Sequence, residues 1–179
     1  MSCISVLSHV NEKGYKTMPN GIGSHQSHKM GKDEWLTPPD LLNKLGEFDL
    51  DCCAPVNRPW DTARNHYTIK DDGLSQEWFG RVWCNPPYGR EVGKWLSRCA
   101  VHKHATALIF ARTETKDWIN HVWSKAHSVL FIYGRLYFYH VDGTRAKSNS
   151  GAPSALISYN ELNTEYLSKS GIDGKLIIL

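Results

Sequence analysis

Apolar positions along this chain recur at two spacings, and the points where one gives way to the other mark out its elements. In "TPPDLLNKLGEF", Leu41, Leu42 and Leu45 share one face at helical spacing. Thr37 stands where an N-cap belongs, prolines fall in the first turn, and Gly46 stops the helix. "EVGKWLSRCAVH" repeats the spacing with Val92, Trp95, Leu96 and Cys99, and "TKDWINHVWSKA" predicts a further helix capped at Thr115. "HATALIFA" shows no polar alternation, the pattern of a strand buried on both faces. "EFDLD" and "GRVWC" read as shorter strands ending at Asp51 and Cys84, and "SVLFIYG", "RLYFYHV" and "SALISY" as three more. The last stretch, "NELNTEYLSKSGIDGKLIIL", reads as a small helix and a closing strand.

Strands alternating with helices and buried on both faces predict an α/β domain whose central sheet is mostly parallel and flanked by helices. Residues 1–33 have another texture: after the apolar "CISVL" they are rich in Gly, His, Lys and Ser. They read as a flexible N-terminal arm that orders against a partner or the domain face. Residues 34–179 then form a single domain, since 179 residues suffice for one sizeable core and not for two large ones. His25 and His28 within the arm are too few for a metal ligand set.

A formal charge of +3 permits a nucleic-acid partner without demanding one. Seven tryptophans are more than a core of this size needs, so some are candidates for stacking platforms. The five cysteines (Cys3, Cys52, Cys53, Cys84 and Cys99) are odd in number, include an adjacent pair and lack CxxC spacing. That pattern argues against a disulfide framework or a zinc site and for reduced thiols in a cytosol. No apolar run approaches the ~20 residues of a membrane span, and no basic segment followed by an apolar one opens the chain.

Ligands of open α/β sheets bind outside the carboxyl ends of the strands. Here those ends read "DCCAPVN", "NPPYG" and "RTET", so polar groups gather at one edge. The tetrapeptide Asn85-Pro86-Pro87-Tyr88 admits two readings. As a turn, it stops the strand, because proline cannot continue a ladder. As a site, each proline forces the residue before it into an extended conformation. The Asn85 side chain and the Pro86 carbonyl then become two fixed acceptors, a match for an exocyclic amino group with its two N–H donors. Tyr88 adds a ring face on which a base can stack, worth about 1–3 kcal/mol.

These residues resemble the catalytic motif of amino-group methyltransferases that use S-adenosylmethionine (AdoMet). "WLTPPDLL" resembles the motif that touches the methionine end of the cofactor, "FDLDCCAP" the first-strand motif, and "DDGLSQEW" the motif beside the cofactor adenine. With "GRLYF" and "APSALISY", the run from Trp35 to Tyr159 is most similar to phage-type DNA N6-adenine methyltransferases, the Dam family of phages and prophages.

The resemblance implies a Rossmann-like fold and methyl transfer from AdoMet to N6 of an adenine flipped out of DNA, leaving S-adenosylhomocysteine. It implies catalysis by Asn85, Pro86, Pro87 and Tyr88 with no metal. Asp51 becomes the partner of the cofactor ammonium, with Thr37 and Pro38 at that end. Asp72, Gly73 and Leu74 hold the cofactor adenine, although Asp72 also suits a plain turn. Trp35 is either a cofactor wall or a docking aromatic. Where the wider methyltransferase pattern has Gly-x-Gly, the small Cys52, Cys53 and Ala54 stand in. A ribose-binding residue is expected within "ARNHYTIKDD". DNA contacts are expected from Arg112, Thr113, Arg135, Arg145 and Lys147, with Lys29 and Lys32 of the arm on phosphates. No membrane and no obligate protein partner is implied, and the setting is the cytoplasm of a bacterial host carrying the phage or prophage. The rivals are methylation of RNA, of cytosine N4 or of a protein glutamine amide, and a non-catalytic nucleic-acid-binding relative.

Overall fold

A computed structural model describes residues 34–179, so the arm expected over residues 1–33, with His25, His28, Lys29 and Lys32, lies outside the described residues. The strands are β1 (Leu50–Asp51), β2 (Asn65–His66), β3 (Val82–Cys84), β4 (Ala105–Phe110), β5 (Ser128–Ile132), β6 (Ser154–Ser158) and β7 (Gly174–Ile178). They form one seven-stranded sheet in the order β2-β1-β3-β4-β6-β5-β7. Pairings from β2 to β4 are parallel, and those from β4 to β7 are antiparallel and longer.

The protein is therefore mixed α/β, and the expected mostly parallel sheet is present in one half only. The reason lies between β5 and β6. A parallel return needs a crossover, normally helical, and residues 133–153 contain no helix. Strand β6 instead comes back antiparallel and enters between β4 and β5.

Among the described residues four α-helices accompany the sheet: α1 (Pro39–Leu45), α2 (Val92–His102), α3 (Lys116–Trp118) and α4 (Glu161–Lys169). Alternation along the strands divides the core into two layers. Ala105, Ala107 and Ile109 of β4 face a layer with Trp95, Leu96 and Cys99 of α2 and Trp118 of α3. Leu108 faces the other, with Leu41, Leu42 and Leu45 of α1 and Leu167 of α4. Each fully buried leucine contributes about 1.5–3 kcal/mol by leaving water.

Local chemistry explains the element ends. Thr115 accepts a hydrogen bond from the Trp118 N–H at 3.4 Å, as an N-cap should. After one turn that helix widens into a π-helical segment, Ile119–Trp123. Asn160 caps α4, its side chain accepting from the Asn163 N–H at 2.8 Å. Helix α1 begins one residue later than expected: Pro38 takes the cap position and no side chain caps it, while Thr37 is buried. The expected strand "RLYFYHV" is not a sheet strand. Gly134, at φ +74, turns the chain away after β5. Tyr139 then makes isolated bridges with Leu36 and Arg145. Among the described residues, no helix is long and apolar enough to cross a membrane.

Candidate active site

Beyond the carboxyl ends of β1, β3 and β4 the chain leaves a cavity of about 850 Å³, within the size range of small-molecule sites. Each strand end delivers its own wall. The end of β1 and the turn after it contribute Asp51, Cys52 and Ala54; the segment after β3 contributes Asn85, Pro86, Pro87 and Tyr88; Arg112 follows β4. Trp35 and Thr37 enter from the strand-like lead into α1, and Asp72 and Gly73 from the loop before β3. Pro38, Leu74, Thr113, Arg135, Arg145 and Lys147 do not line it. Leu74 packs instead against the core layer on the α2 side.

Asn85 has a divided amide. Its Nδ2 donates to the Trp35 carbonyl at 3.3 Å. Its Oδ1 is buried and has no partner among the described residues. Because only the NH2 end can serve the Trp35 carbonyl, the acceptor end must face the other way. A buried acceptor left unpaired costs about 1–3 kcal/mol, so this oxygen marks where a donor belongs. Pro86 is buried and Pro87 exposed, and neither offers an N–H to compete for it.

Tyr88 lies parallel to Phe110, with ring centroids 4.3 Å apart and planes at 12°, and meets the edge of Phe138. One of its faces is thereby covered. Its hydroxyl is buried without a partner, and burial pushes the phenol above its ordinary range.

Asp51 is 3% exposed. Its Oδ1 accepts the Cys53 N–H at 3.0 Å, and its Oδ2 accepts the Thr62 hydroxyl. Burial, reinforced by the Cys53 side chain, pushes the carboxyl up to about 7 against the pull of those hydrogen bonds and of Arg58. Thiol hydrogen bonds from Cys52 and Cys84 pull Cys53 down to about 5, with burial opposing and the Asn85 backbone N–H helping. Sequence reasoning took Cys53 only as a small residue in place of Gly-x-Gly, and missed Thr62. Cys53 adjoined a motif residue and so carried a signal; Thr62 sits in a loop without periodicity and carried none.

The Asp72-Gly73 turn is held from two sides. Asp72 adopts φ +52, and its carbonyl accepts both the N–H and the hydroxyl of Ser75 at 2.8 Å. The Trp78 indole N–H donates to the Gly73 carbonyl at 2.7 Å. A Cβ on Gly73 would stand 2.0 Å from the Cys52 carbonyl oxygen, so only glycine lets these two cavity walls meet.

Of the residues expected to contact DNA, Arg112 lines the cavity and Thr113, Arg135, Arg145 and Lys147 do not. Arg112 has its guanidinium 5.9 Å from the Phe110 ring centre. The Thr113 carbonyl accepts from the Trp123 indole at 3.2 Å. Arg135 donates to the Ser150 carbonyl at 3.3 Å, Arg145 covers the Tyr137 ring at 4.0 Å, and Lys147 is exposed.

The arrangement thus offers a cleft-like volume, a buried carboxyl group, an unpaired acceptor and an aromatic face. It can hold a cationic ligand beside an amino-bearing ring. A family model described as DNA N-6-adenine-methyltransferase (Dam) matches residues 24–175. No curated protein and no solved structure matches the chain.

Proposed function

Because the chain belongs to the DNA N-6-adenine-methyltransferase (Dam) family, we propose that it transfers the methyl group of AdoMet to N6 of an adenine turned out of DNA into this cavity. The observation that carries the reading is the Asn85 amide, whose nitrogen is engaged by Trp35 while its buried oxygen lacks a donor. An amino group supplies that donor; a carbonyl at the same place would not.

The cavity residues fit the cofactor. The buried Asp51 suits an ammonium group, which restores its charged form, and the close approach of Gly73 to the Cys52 carbonyl brings two walls of the cavity together. When bound, AdoMet supplies a methyl group already activated by its sulfonium. Asp51 with Thr37 would hold the methionine end and Asp72 the adenine end, with Trp35 as a wall, while Pro38, at the cap position of α1, would support Thr37 from outside the cavity. Leu74 would act from behind, through the core layer.

N6 is a poor nucleophile because its lone pair is delocalised into the ring. Asn85 Oδ1 and the Pro86 carbonyl would accept its two N–H groups, favour a more tetrahedral nitrogen and stabilise the positive charge that grows during attack. Neither acceptor is a base, so the proton lost from N6 after transfer passes to water. Tyr88 would stack on the base with the face that Phe110 leaves uncovered. Turning the base out costs a few kcal/mol of unstacking, which this stacking offsets in part. Arg112 would meet DNA at the mouth, and Thr113, Arg135, Arg145 and Lys147 would serve the backbone further out. The reading of the fold as a Rossmann-like methyltransferase domain rests on its parallel half, where the strand ends meet the cavity. The free Cys52, Cys53, Cys84 and Cys99 suit a reducing cytoplasm.

The test is a transfer assay with AdoMet labelled in its methyl group and unmethylated DNA, the product being digested to nucleosides. Label in N6-methyladenine is expected. Label in a methylated cytosine, or none in DNA from protein that binds AdoMet, would overturn the substrate assignment.

A further inference from the structure

Strands β1 and β3 pair with Leu50 opposite Val82 and Asp51 opposite Trp83. Continued by one residue, that register sets Cys52 beside Cys84, and Cys53 follows in the turn. Three sulfur atoms, those of Cys52, Cys53 and Cys84, consequently lie within 4.8 Å of one another, with Cys52 and Cys53 Sγ 3.9 Å apart. All three thiols are free of disulfides. Three thiolates around one ion at a metal–sulfur distance of about 2.3 Å stand about 4 Å from each other. The cluster therefore needs shifts of well under 1 Å per sulfur to meet that spacing.

Access is one-sided. Cys52 and Cys84 are fully buried, whereas Cys53 is half-buried, and Cys52 and Cys53 belong to the cavity wall. An ion would enter through the cavity and meet Cys53 first. Sulfur-only donor sets select soft metals over magnesium, calcium or manganese.

We propose that Cys52, Cys53 and Cys84 form a three-thiolate site for one soft d10 metal ion, of the class of monovalent copper, zinc or cadmium. The sequence had argued against zinc because the cysteines lack CxxC spacing. Strand register brings together what spacing along the chain does not. Each ligand still protonated gives up its proton to solvent as it ligates, so binding releases protons. The ion would tie the turn after β1 to the residue preceding Asn85, at the wall of the same cavity.

Cadmium is a suitable probe because thiolate ligation gives it a near-ultraviolet charge-transfer band. Reduced protein carrying Cys3→Ser, which removes the cysteine outside the described residues, is titrated with Cd2+ and followed by that band and by native mass. One ion per chain is expected, with affinity at least tenfold weaker in Cys53→Ser and in Cys84→Ser, and unchanged in Cys99→Ser. Absence of the band at one equivalent, or equal affinity in Cys53→Ser, would overturn the site. Cys84 is buried, so its variant can lose the fold; Cys53 is half-buried and keeps the test decisive. The titration reads neither AdoMet binding nor methyl transfer, so its outcome is separate from the fate of the proposed function.

Discussion

Asn85 illustrates how a single side chain acquires direction from its neighbours. The Trp35 carbonyl fixes its nitrogen, and the remaining oxygen is left buried and unpaired among the described residues. Asn85→Ala is expected to reduce methyl transfer by about 10²–10³-fold, the usual loss for one preorganised electrostatic contact. AdoMet affinity by calorimetry should change little; its abolition would show that Asn85 serves the cofactor instead. Asp51 makes a pH prediction. Its folded value near 7 lies above the 3.8 of an ordinary aspartate, so between these the folded chain keeps a proton that the unfolded chain has lost. Stability of the free protein should accordingly fall as pH rises from about 4 to 7, and the penalty is complete above 7. Asp51→Asn should raise the melting temperature at pH 8 and leave it nearly unchanged at pH 4. A cationic cofactor needs the ionised form, so AdoMet affinity should drop towards tenfold per pH unit below 7. Flat affinity between pH 6 and 8 would remove Asp51 from that role. Asn85 to Tyr88 could be singled out in the sequence because their chemistry is contained in four consecutive residues. The partnership of Thr62 with Asp51 depends on a loop folding back, and nothing local announces it.

At the scale of elements, the long periodic segments were legible and the short ones were not. Helices α1 and α2 and strand β4 follow apolar spacing that admits one period. Strand β2 has two residues, Asn65 and His66, exposed and half-buried, so hydrophobicity gives no signal. "RLYFYHV" has strand composition, yet its backbone is taken by Leu36 and Arg145 rather than by the sheet. Tertiary context overrode propensity there. The loops that carry the site depend on backbone fit, which Gly73 makes testable. Gly73→Ala should cost about 1–3 kcal/mol in chemical denaturation and weaken AdoMet binding, because the added Cβ collides with the Cys52 carbonyl. Gly151→Ala, with nothing within 4 Å of the added atom, is the matched control and should be near neutral. Equal behaviour of the two would mean that the walls at Cys52 and Gly73 yield easily.

Across the whole molecule, Arg81 joins the parallel half to the C-terminal helix. It is 4% exposed and lies between the rings of Phe48 and Tyr166, 4.0 and 3.7 Å from their centres. Its Nε donates to Asn163 Oδ1 at 2.7 Å and one NH group to the Glu47 carbonyl at 2.8 Å. Burial lowers its guanidinium to about 10, still charged at neutral pH. Arg81→Met should cost about 1–3 kcal/mol by leaving Asn163 unpaired, seen as a lower urea midpoint at constant slope. An unchanged midpoint would show that α4 docks on its apolar face alone. The strand order has a consequence for biosynthesis. Strand β5 hydrogen-bonds only to β6 and β7, both of which lie later in the chain. As a nascent chain emerges, Val129, Leu130 and Phe131 are made before either neighbour, and the outer edge of β4 stays open alongside them. Unpaired apolar edges are templates for aggregation. A chain stalled on the ribosome before Ser154 would carry three such edges at once, the outer edge of β4 and both edges of β5, so the yield of soluble protein is expected to depend on how promptly translation delivers β6.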